Sequence, residues 1–486
     1  MFDFGDLSIE DILDEGDNAL RKRHSADKTR WDYWQGKHET PFSPEGTSDE
    51  YQQLLQDSPL PLVRLGVKTP VQRLKAGGVR LDGAEDVDEE AYRVWEANNL
   101  RSRQRIVYTH ALVFGHGIVS VWPDPDNPDT PVIRPEDPRN VHIEPDPDDP
   151  FNPLWAVKRV DKRKRDSFGT HITLNEAYVY EPDAVWKFVS RAGSQWELED
   201  VFDNPLGRVP FVMFAPEMDA DGSTFSMVDP LLPMQRAIDG MRFDLLLAAQ
   251  FAAYRQRIIS GYDPVLRDED GEPIFRTNPE TGEPILDSDG QPIPIVTNPG
   301  RVGVERFLVF PGDATNVFDL PESNLTNYVG ALEMLVATFA STAQVPPQYL
   351  IGDFKNVSGD LMVATEATLR SLISDLQTSF DEGWESVYKL VYIARGDEAP
   401  EHVQTVWEDA EPKSLQVIAD ASSKMIPNGA PLQMFLEMMP GANPQKVNRW
   451  MTLSEEERQK VLEMMPAGGS FGPKPPTEAG ADEPAE

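Results

Sequence analysis

The chain of 486 residues contains no cysteine, which excludes disulfides and thiolate metal sites. No apolar run reaches the roughly 18 residues that a membrane-spanning helix requires. The first six residues include Asp3 and Asp6 and no basic residue, whereas a secretory signal begins with basic residues. The sequence therefore predicts a protein that is intracellular when made and needs neither an oxidising compartment nor a membrane.

Basic residues are also scarce. The chain has 45 Lys and Arg against 82 Asp and Glu, which gives a formal net charge of -37 at pH 7. Such a surface repels phosphates on average, so the composition disfavours tight, sequence-specific DNA binding. A nucleic acid can still move past the protein without being bound tightly. A hydrophobic content of 40% is ordinary for a folded chain of several domains.

Patterns of catalytic or metal-binding residues are weak. The seven histidines are scattered, and the acidic residues at 124–129 and 144–149 alternate with prolines, which is typical of solvated turns. Gly115-His-Gly117 follows a predicted helix, the reverse of the order in a dinucleotide-binding fingerprint. The match Gly468-Gly-Ser-Phe-Gly472 to a nucleophile elbow falls in an acidic tail. The sequence predicts no catalytic residue, no metal site and no cofactor.

The first part of the chain has α+β character. Helical spacing of apolar residues predicts helices at 9–34, 60–74, 88–98 and 100–114, and alternation predicts strands between 117 and 214. One basic block interrupts this region at residues 158–165. In so acidic a chain, a salt-bridged strand or a contact with a neighbouring subunit's acidic face is favoured over nucleic-acid binding.

The second part has long helices and an unusual insert. A helix at 229–259 has apolar residues on more than one side, and further helices are predicted around 322–343 and up to Arg395, with a possible bend at Gly383. The insert at 261–320 repeats Gly-x-Pro-Ile three times, which suggests hairpin tips. Short helices rich in methionine follow from about 400 to 465, and then a disordered tail at 466–486.

The loop at 344–359 is the most informative stretch. Pro346 and Pro347 end the helix before it, and Ser358 can cap the helix after it. Its glycine, aspartate, lysine and asparagine residues suit exposure and movement. A ring-shaped channel explains this arrangement better than an enzyme does, although a helical hairpin in a bundle accounts for the segment alone equally well.

Taken in order, these parts resemble a portal protein of tailed bacteriophages, of the kind common in long-tailed phages. The resemblance covers the chain to about residue 395, and the order of the motifs is more specific than any one of them. The matching segments are the aromatic Gly-Pro-Phe stretch at 33–42, Ala111-Leu-Val-Phe-Gly115, Pro210-Phe-Val-Met-Phe214, the helix at 236–247, Pro346-Pro-Gln-Tyr-Leu-Ile-Gly352 and Asn356-Val-Ser-Gly359.

The resemblance implies a dodecameric ring at one capsid vertex, in the virion and, during assembly, in the host cytoplasm. Double-stranded DNA would pass through the channel without sequence preference. Its implied partners are the terminase large subunit, a head-completion or adaptor protein, and the major capsid and scaffolding proteins. The implied parts are a wing at 1–228 with a long helix at 359–395, a stem helix at 229–260, a clip at 261–321, a return stem helix at 322–344, a tunnel loop at 345–358, a helical crown at 396–465 and the tail at 466–486.

The resemblance also assigns residues to roles. DNA would face Gly352, Asp353, Phe354, Lys355 and Asn356 in the tunnel loop. Stem packing would involve Ile238, Met241, Leu245, Leu332 and Leu335. The adaptor would contact Asp270, Gly271, Gly282, Asp289 and Gly290 in the clip. The open alternatives are another oligomeric phage structural or scaffold protein without a DNA channel, and a metal-dependent hydrolase that uses the acidic turns.

Overall fold

The computed structural model describes most of the chain. The described residues are 7–41, 49–84, 87–165, 171–191, 195–253, 257–260, 265–279, 281–287, 290–295, 307–310, 316–319, 325–351, 359–408, 415–439 and 446–455.

The fold is mixed helix and sheet, as the sequence predicted. The helices are α1 (Ile9–Gln35), α2 (Asp49–Asp57), α3 (Leu62–Arg73), α4 (Glu89–Ala97), α5 (Leu100–Phe114), α6 (Leu232–Ala253), α7 (Leu325–Thr342), α8 (Pro347–Ile351), α9 (Gly359–Arg395), α10 (Leu415–Met425) and α11 (Leu432–Glu437). The strands are β1 (Ala76–Leu81), β2 (Gly117–Trp122), β3 (Val132–Glu136), β4 (Val141–Pro145), β5 (Pro153–Arg165), β6 (His171–Tyr180), β7 (Ala184–Arg191), β8 (Glu197–Asp203), β9 (Phe211–Phe214), β10 (Arg257–Ser260), β11 (Phe307–Phe310), β12 (Asn316–Asp319) and β13 (Val403–Trp407).

Local signals define the first helices. Ser8 and Asp11 form a capping box at the start of α1, where each side chain accepts a hydrogen bond from the other residue's backbone N–H. The helix ends at Gly36, whose φ of 82° lies in the left-handed region that glycine adopts without strain. Gly115 ends α5 in the same way. These caps explain why the predicted bounds of both helices are close to the observed ones.

The main core surrounds α9. Phe380, Trp384 and Tyr388 on this helix are fully buried and pack with α3, α4 and α5. The Trp384 indole donates a hydrogen bond of 2.8 Å to the hydroxyl of Tyr108 on α5. Each large apolar side chain buried here contributes about 1.5–3 kcal/mol through the hydrophobic effect. This helix therefore ties the N-terminal and C-terminal halves of the chain into one core.

The strands form four sheets. A five-stranded antiparallel sheet has the order β4-β5-β6-β7-β8, and a three-stranded sheet has the order β3-β2-β9. Strand β1 pairs with β13, and β10 lies between β11 and β12. Helix α1 contacts β4, β5 and β6 of the larger sheet. The first two sheets thus lie in the part that the sequence predicted to be α+β.

Two predicted features are wrong. The helix expected to reach about residue 259 ends at Ala253, and Arg257–Ser260 form strand β10, since Ile258 and Ile259 are β-branched and the neighbouring strands supply backbone partners. The short helices expected from about 400 are preceded by strand β13, which pairs with β1. Helix α9 continues through Gly383, so the possible bend there stays a prediction, and the predicted disordered tail falls outside the described residues.

Gly383 allows α9 to pack closely against the ring of Phe214. An added Cβ would lie 2.6 Å from the Phe214 ring, a distance that real Cβ atoms do not show. We expect Gly383→Ala to destabilise the protein by about 1–3 kcal/mol through overpacking, although alanine is the better helix former by about 1 kcal/mol at an open position.

Denaturant unfolding measures this difference. The matched control is Gly330→Ala on α7, where an added Cβ meets no atom within 4 Å. If Gly383→Ala stabilised the protein as much as Gly330→Ala, the packing explanation would be wrong.

Candidate functional site: a helical stalk, its anchor and its connections

Helices α6 and α7 lie against each other and form a unit that we call the stalk. Its buried residues are found at the end nearest the core. On α6, described side chains are buried only as far as Phe243, and on α7 only from Val336 onward. Towards the insert, apolar side chains remain open, with Val329 42% and Met334 64% exposed. The stalk therefore extends from the core with apolar surface that its own described chain leaves uncovered.

The predicted stem-packing residues lie at two levels of this stalk. Ile238 is fully buried in the main core, and Leu332 and Leu335 pack against that core while remaining half-buried. Met241 and Leu245 are half-buried on α6. On each of the two helices, the apolar pattern thus marks a face that packs in or against the core at one end and continues along the stalk.

A polar network, which we call the anchor, fixes the base of α6 to the segment before α3. Gln235 exchanges hydrogen bonds with the backbone of Leu60 and Val63 at 2.6 and 3.2 Å. Arg242 donates to the carbonyl oxygens of Ser58 and Pro59 at 2.8 and 2.9 Å. These contacts satisfy backbone groups that would otherwise be buried without partners.

Asp239 is the centre of the anchor. One carboxylate oxygen accepts from the Leu60 N–H and from Gln235, both at 2.9 Å, and the other lies 2.6 Å from Nδ1 of His38. The His38 side chain is 0% exposed and that of Asp239 is 2% exposed, and the His38 ring stacks on Tyr33. This pair joins the segment after α1 to the stalk.

Sequence reasoning missed the anchor. Gln235, Asp239 and Arg242 are spaced by four and three residues, so they share one face of α6. That spacing was the available signal, but the partners are 172 to 201 residues away in the chain, where no local pattern points to them.

A second polar cluster joins α3 to α8, in the first part of the predicted tunnel loop, and to α9, which follows the loop. Arg73 on α3 donates to the Tyr349 hydroxyl at 3.0 Å and to Glu366 at 3.3 Å, and the Tyr349 hydroxyl donates to the same carboxylate. The hydrogen bond from Tyr349 and the charge of Arg73 lower the pKa of the Glu366 carboxyl. Tyr349 lies on α8, in the first part of the predicted tunnel loop, and Glu366 lies on α9 after the loop, so Arg73 of α3 holds these two helices together.

The predicted DNA-facing residues Gly352, Asp353, Phe354, Lys355 and Asn356 lie outside the described residues. The structure does place the segments on either side of them. Helix α8 ends at Ile351, and α9 begins at Gly359. The connection between them is therefore short and held at both flanks by the Arg73 cluster.

The described residues between 265 and 295 form a compact β unit that we call the knob. Three backbone hydrogen bonds form a closed triangle in which Leu266 donates to Ile295, Ile295 to Ile274, and Ile274 to Leu266. A second triangle joins the next repeats. In it, the backbone N–H of Arg276 donates to the carbonyl oxygen of Ile293, that of Ile293 to Ile285, and that of Ile285 to Arg276, at 2.7 to 2.9 Å. The isoleucines of the three Gly-x-Pro-Ile repeats, Ile274, Ile285 and Ile293, all belong to these triangles.

Prolines keep the knob from becoming an ordinary sheet. Each of its described isolated bridges includes one proline, namely Pro273, Pro284, Pro292 or Pro294. Since proline has no N–H, the ladder cannot extend past it. The chain then turns towards a different partner strand.

The predicted adaptor residues lie at the tips of the knob. Gly271, Gly282 and Gly290 have φ values of 85°, 71° and 79°, and an added Cβ at any of them would meet no atom within 4 Å. Asp270 is in the first tip, and Asp289 lies outside the described residues. Leu266, Phe275, Ile285 and Leu286 are 36% to 55% exposed, so the knob offers apolar surface next to its turns.

The described residues contain no group of three His, Asp or Glu side chains that could hold a metal ion. Among the described helices, none combines the length and apolar character that crossing a membrane would require. The stalk and the knob offer apolar surface for contacts with other chains, and we assign no catalytic role to their described side chains.

Comparisons with known proteins agree on one family. The family model described as "Phage portal protein, SPP1 Gp6-like" matches residues 17–460. The portal protein of Mycobacterium phage D29 is 27% identical over 381 residues, which are 75% of this chain and 72% of that protein. The portal protein of Mycobacterium phage L5 is 27% identical over 396 residues, covering 78% and 74%.

A chain from the neck of an empty GTA particle computed with C6 symmetry aligns with a TM-score of 0.41 and 11% identity, over 83% of this chain and 97% of that chain.

Proposed function

Because this chain belongs to the SPP1 Gp6-like family of phage portal proteins, we propose that it forms a dodecameric ring at one vertex of the capsid. The ring is the channel for genome packaging and ejection. In this proposal the protein has a structural role in the virion and does not act as an enzyme. It is assembled in the host cytoplasm.

The observation that carries the proposal is the stalk with its uncovered apolar side chains. Val329 and Met334 stay exposed on a helix whose far end is buried in the core. Large exposed apolar positions on a rigid helix pair mark a protein contact. In a ring, the same face of every subunit is covered by its neighbour, so one pattern of residues closes the whole assembly.

The charge of the chain suits passage of DNA. A net charge of -37 repels phosphates, so double-stranded DNA moves through a ring of such subunits without sequence-specific arrest. The proposed partners follow from the parts of the chain. The knob and its neighbouring strands contact the terminase large subunit during packaging and the head-completion or adaptor protein afterwards, and the outer part of the ring contacts major capsid and scaffolding proteins.

Mass photometry of the purified protein tests the proposal. The expected result is a particle with the mass of a dodecamer, seen as a ring on electron micrographs. A scaffold protein without a channel would give filaments or closed assemblies without a central opening. Monomers alone at every concentration that supports prohead assembly would overturn the proposal.

The tunnel loop supplies a prediction about DNA. Lys355→Glu replaces a ring of weak attractions to phosphate by repulsion, and in this proposal a side chain that faces the channel contributes little to the fold. We expect normal yields of rings and proheads and less DNA per particle. The deficit should shrink at higher ionic strength because salt screens charges beyond the Debye length of about 8 Å at 0.15 M.

The control is Lys37→Glu, which makes the same charge change at an exposed position outside the loop. Encapsidated DNA is measured for both variants at two salt concentrations. An equal DNA content in the Lys355 variant and the wild type at both concentrations would contradict a role for this lysine.

A further inference from the structure

A cavity that we call the basic cleft lies where α1, the turn Pro138–Asn140 and β5 meet. The turn contacts both the helix and the strand, and together they enclose about 280 Å³. Leu20 is buried and supplies the apolar part of the lining. The rest of the lining is one acid and five side chains with N–H donors, namely Asp161 and Arg21, His24, Arg139, Asn140 and Arg159. In a chain with a net charge of -37, such a lining is a local exception.

Two arginines of the basic cleft share a single carboxylate. Arg21 and Arg159 both form ion pairs with Asp17, at 2.6 and 2.7 Å, and the Asp17 side chain is 6% exposed. Because one carboxylate neutralises only one guanidinium, this group of three keeps a net positive charge. The residue before Arg159, Lys158, forms an ion pair with Glu136 at 2.7 Å. The salt-bridged strand predicted from the basic block is therefore correct for Lys158 and Arg159.

The third arginine of the cleft is fixed in position. Arg139 donates two hydrogen bonds to the Asp137 carboxylate, at 3.0 and 2.7 Å, and its guanidinium lies 4.9 Å from the centre of the Trp31 ring. A guanidinium carries five N–H groups in one plane, and the contacts named here use only some of those on the three arginines. The basic cleft thus offers ordered N–H donors that suit the oxygens of a carboxylate.

The hairpin between β4 and β5 ends in a rigid loop, residues 146–152, that we call the acidic tip. The backbone N–H groups of Asp146, Asn152 and Asp149 donate in turn to the carbonyl oxygens of Asn152, Asp149 and Asp146, at 2.9 to 3.2 Å. A neighbouring loop packs against this hairpin, since an added Cβ at Gly222 would lie 3.4 Å from it. The acidic tip therefore has one defined shape before it meets another chain.

The acidic tip presents an aromatic ring among carboxylates. Phe151 is 65% exposed, the highest value among the large apolar side chains that the structure describes. Asp148 and Asp149 beside it are exposed as well. An aromatic side chain on a rigid turn loses little conformational entropy when another surface covers it, which is typical of a binding hot spot. The acidic tip thus suits a partner with an apolar hollow and a basic rim.

The acidic tip lies too far from the basic cleft of its own subunit to enter it. Strand β4 separates the two, since it begins at Val141 beside the cleft and ends at Pro145 beside the tip. Its five residues span about 16 Å at roughly 3.3 Å per residue. The two surfaces therefore lie at opposite ends of one pair of strands, which is the arrangement that head-to-tail contacts between copies require.

We propose that the acidic tip of each subunit inserts into the basic cleft of the next copy of this chain. The proposal rests on the ring assembly proposed above. The cavity of about 280 Å³ exceeds the roughly 150 Å³ that hold a benzene molecule, so it accommodates the Phe151 ring next to Leu20. The carboxylates of the tip then accept hydrogen bonds from the arginines of the cleft.

Opposite charges select this contact over a contact between identical surfaces. Two acidic tips repel each other, and two basic clefts do so as well, whereas a tip and a cleft attract. Since the two surfaces are different, the contact is heterologous, and such contacts close into a ring when the rotation between neighbours fits. The same pair of surfaces thus recurs at every subunit boundary.

A charge-exchange experiment tests the proposal. The tip variant combines Asp148→Lys and Asp149→Lys, and the cleft variant combines Arg21→Glu and His24→Glu, all at exposed positions. Each variant alone should reduce the fraction of rings in mass photometry by roughly tenfold or more, because the contacting surfaces then carry charges of the same sign. An equimolar mixture should recover rings, since lysine tips fit glutamate clefts and acidic tips fit basic clefts.

The mixture also controls for folding, because mixing does not rescue a misfolded subunit. A matched control combines Glu398→Lys and Glu401→Lys, two exposed acids after α9, and should assemble like the wild type. Normal rings from either variant alone, or no recovery in the mixture, would overturn the docking proposal while the ring proposal stood. A wild type that formed no rings would instead overturn the proposed function.

Cross-linking gives a second measurement. The chain has no cysteine, so Asp148→Cys with His24→Cys introduces the only thiols. A short bismaleimide should join rings of this double variant into a ladder of covalent oligomers on a denaturing gel, and either cysteine alone should give no species above a dimer. Only monomers from the double variant, in preparations that contain rings, would refute the contact.

Discussion

Replacing residues 268–295 by a short Gly/Ser linker is expected to leave rings intact and to abolish tail joining. The two backbone triangles of the knob are closed among residues 266–295, so their removal breaks no hydrogen bond of the triangles to the stalk. The strands β10, β11 and β12 pair with one another without the knob. Removal of the knob should therefore affect tail attachment and not ring assembly.

The physical reason lies in the surface of the knob. Its tips are rigid turns, and Phe275 and Leu286 beside them are 36% and 55% exposed. Apolar side chains on rigid turns give contact area at a small entropic cost, which is the usual composition of a docking site. In this proposal, exposed strand segments beside the turns also pair with the adaptor chain.

Electron micrographs and infectivity measure the outcome. The matched variant Leu286→Lys keeps the backbone of the knob and changes one exposed side chain. It should reduce tail joining without removing it. Tails that still attach to rings lacking residues 268–295 would show that the adaptor contacts another surface.

Asp239→Ala is expected to destabilise the protein by about 1–3 kcal/mol for each buried donor that it leaves without an acceptor. The variant leaves the His38 ring fully buried without its carboxylate and removes the acceptor of the Leu60 N–H. Since the anchor fixes the base of α6, ring yield should fall together with stability.

Denaturant unfolding of the isolated subunit measures this effect. The control is Asp244→Ala on the same helix, where the aspartate is exposed, and a change within about 0.5 kcal/mol is expected there. Asp239→Asn should lie between the two, because the amide oxygen still accepts from the backbone. Similar denaturant midpoints for Asp239→Ala and Asp244→Ala would mean that the anchor contributes little to the stability of the subunit.

Several elements were predictable because their signals are local. The capping box of Ser8 and Asp11, the helix-ending Gly36 and Gly115, and the apolar periodicity of α5 all lie within a few residues of the structure that they specify. The turns of the knob belong to the same class, since Gly271 and Gly290 adopt the positive φ that suits the hairpin tips suggested by the Gly-x-Pro-Ile repeats. The family resemblance also depended on such motifs and on their order along the chain.

Other features depended on partners far away in the sequence. Ile258 and Ile259 continue an apolar pattern that favours a helix, and only pairing with β11 and β12 makes this segment a strand. The sequence suggested only a possible bend at Gly383, and its close contact with Phe214, 169 residues earlier, has no local signal. The anchor around Asp239 and the cluster around Arg73 likewise join segments that have no common local signal.

The sequence by itself determined the α+β class, the helices with caps and periodicity, the acidic character and the resemblance to portal proteins, because each of these follows from composition or from neighbours within a few residues. Only the tertiary structure decided which polar residues anchor the stalk, where apolar side chains stay uncovered, and which side chains line the basic cleft. Those properties depend on which distant segments meet, and burial and pairing are defined only once the chain has folded.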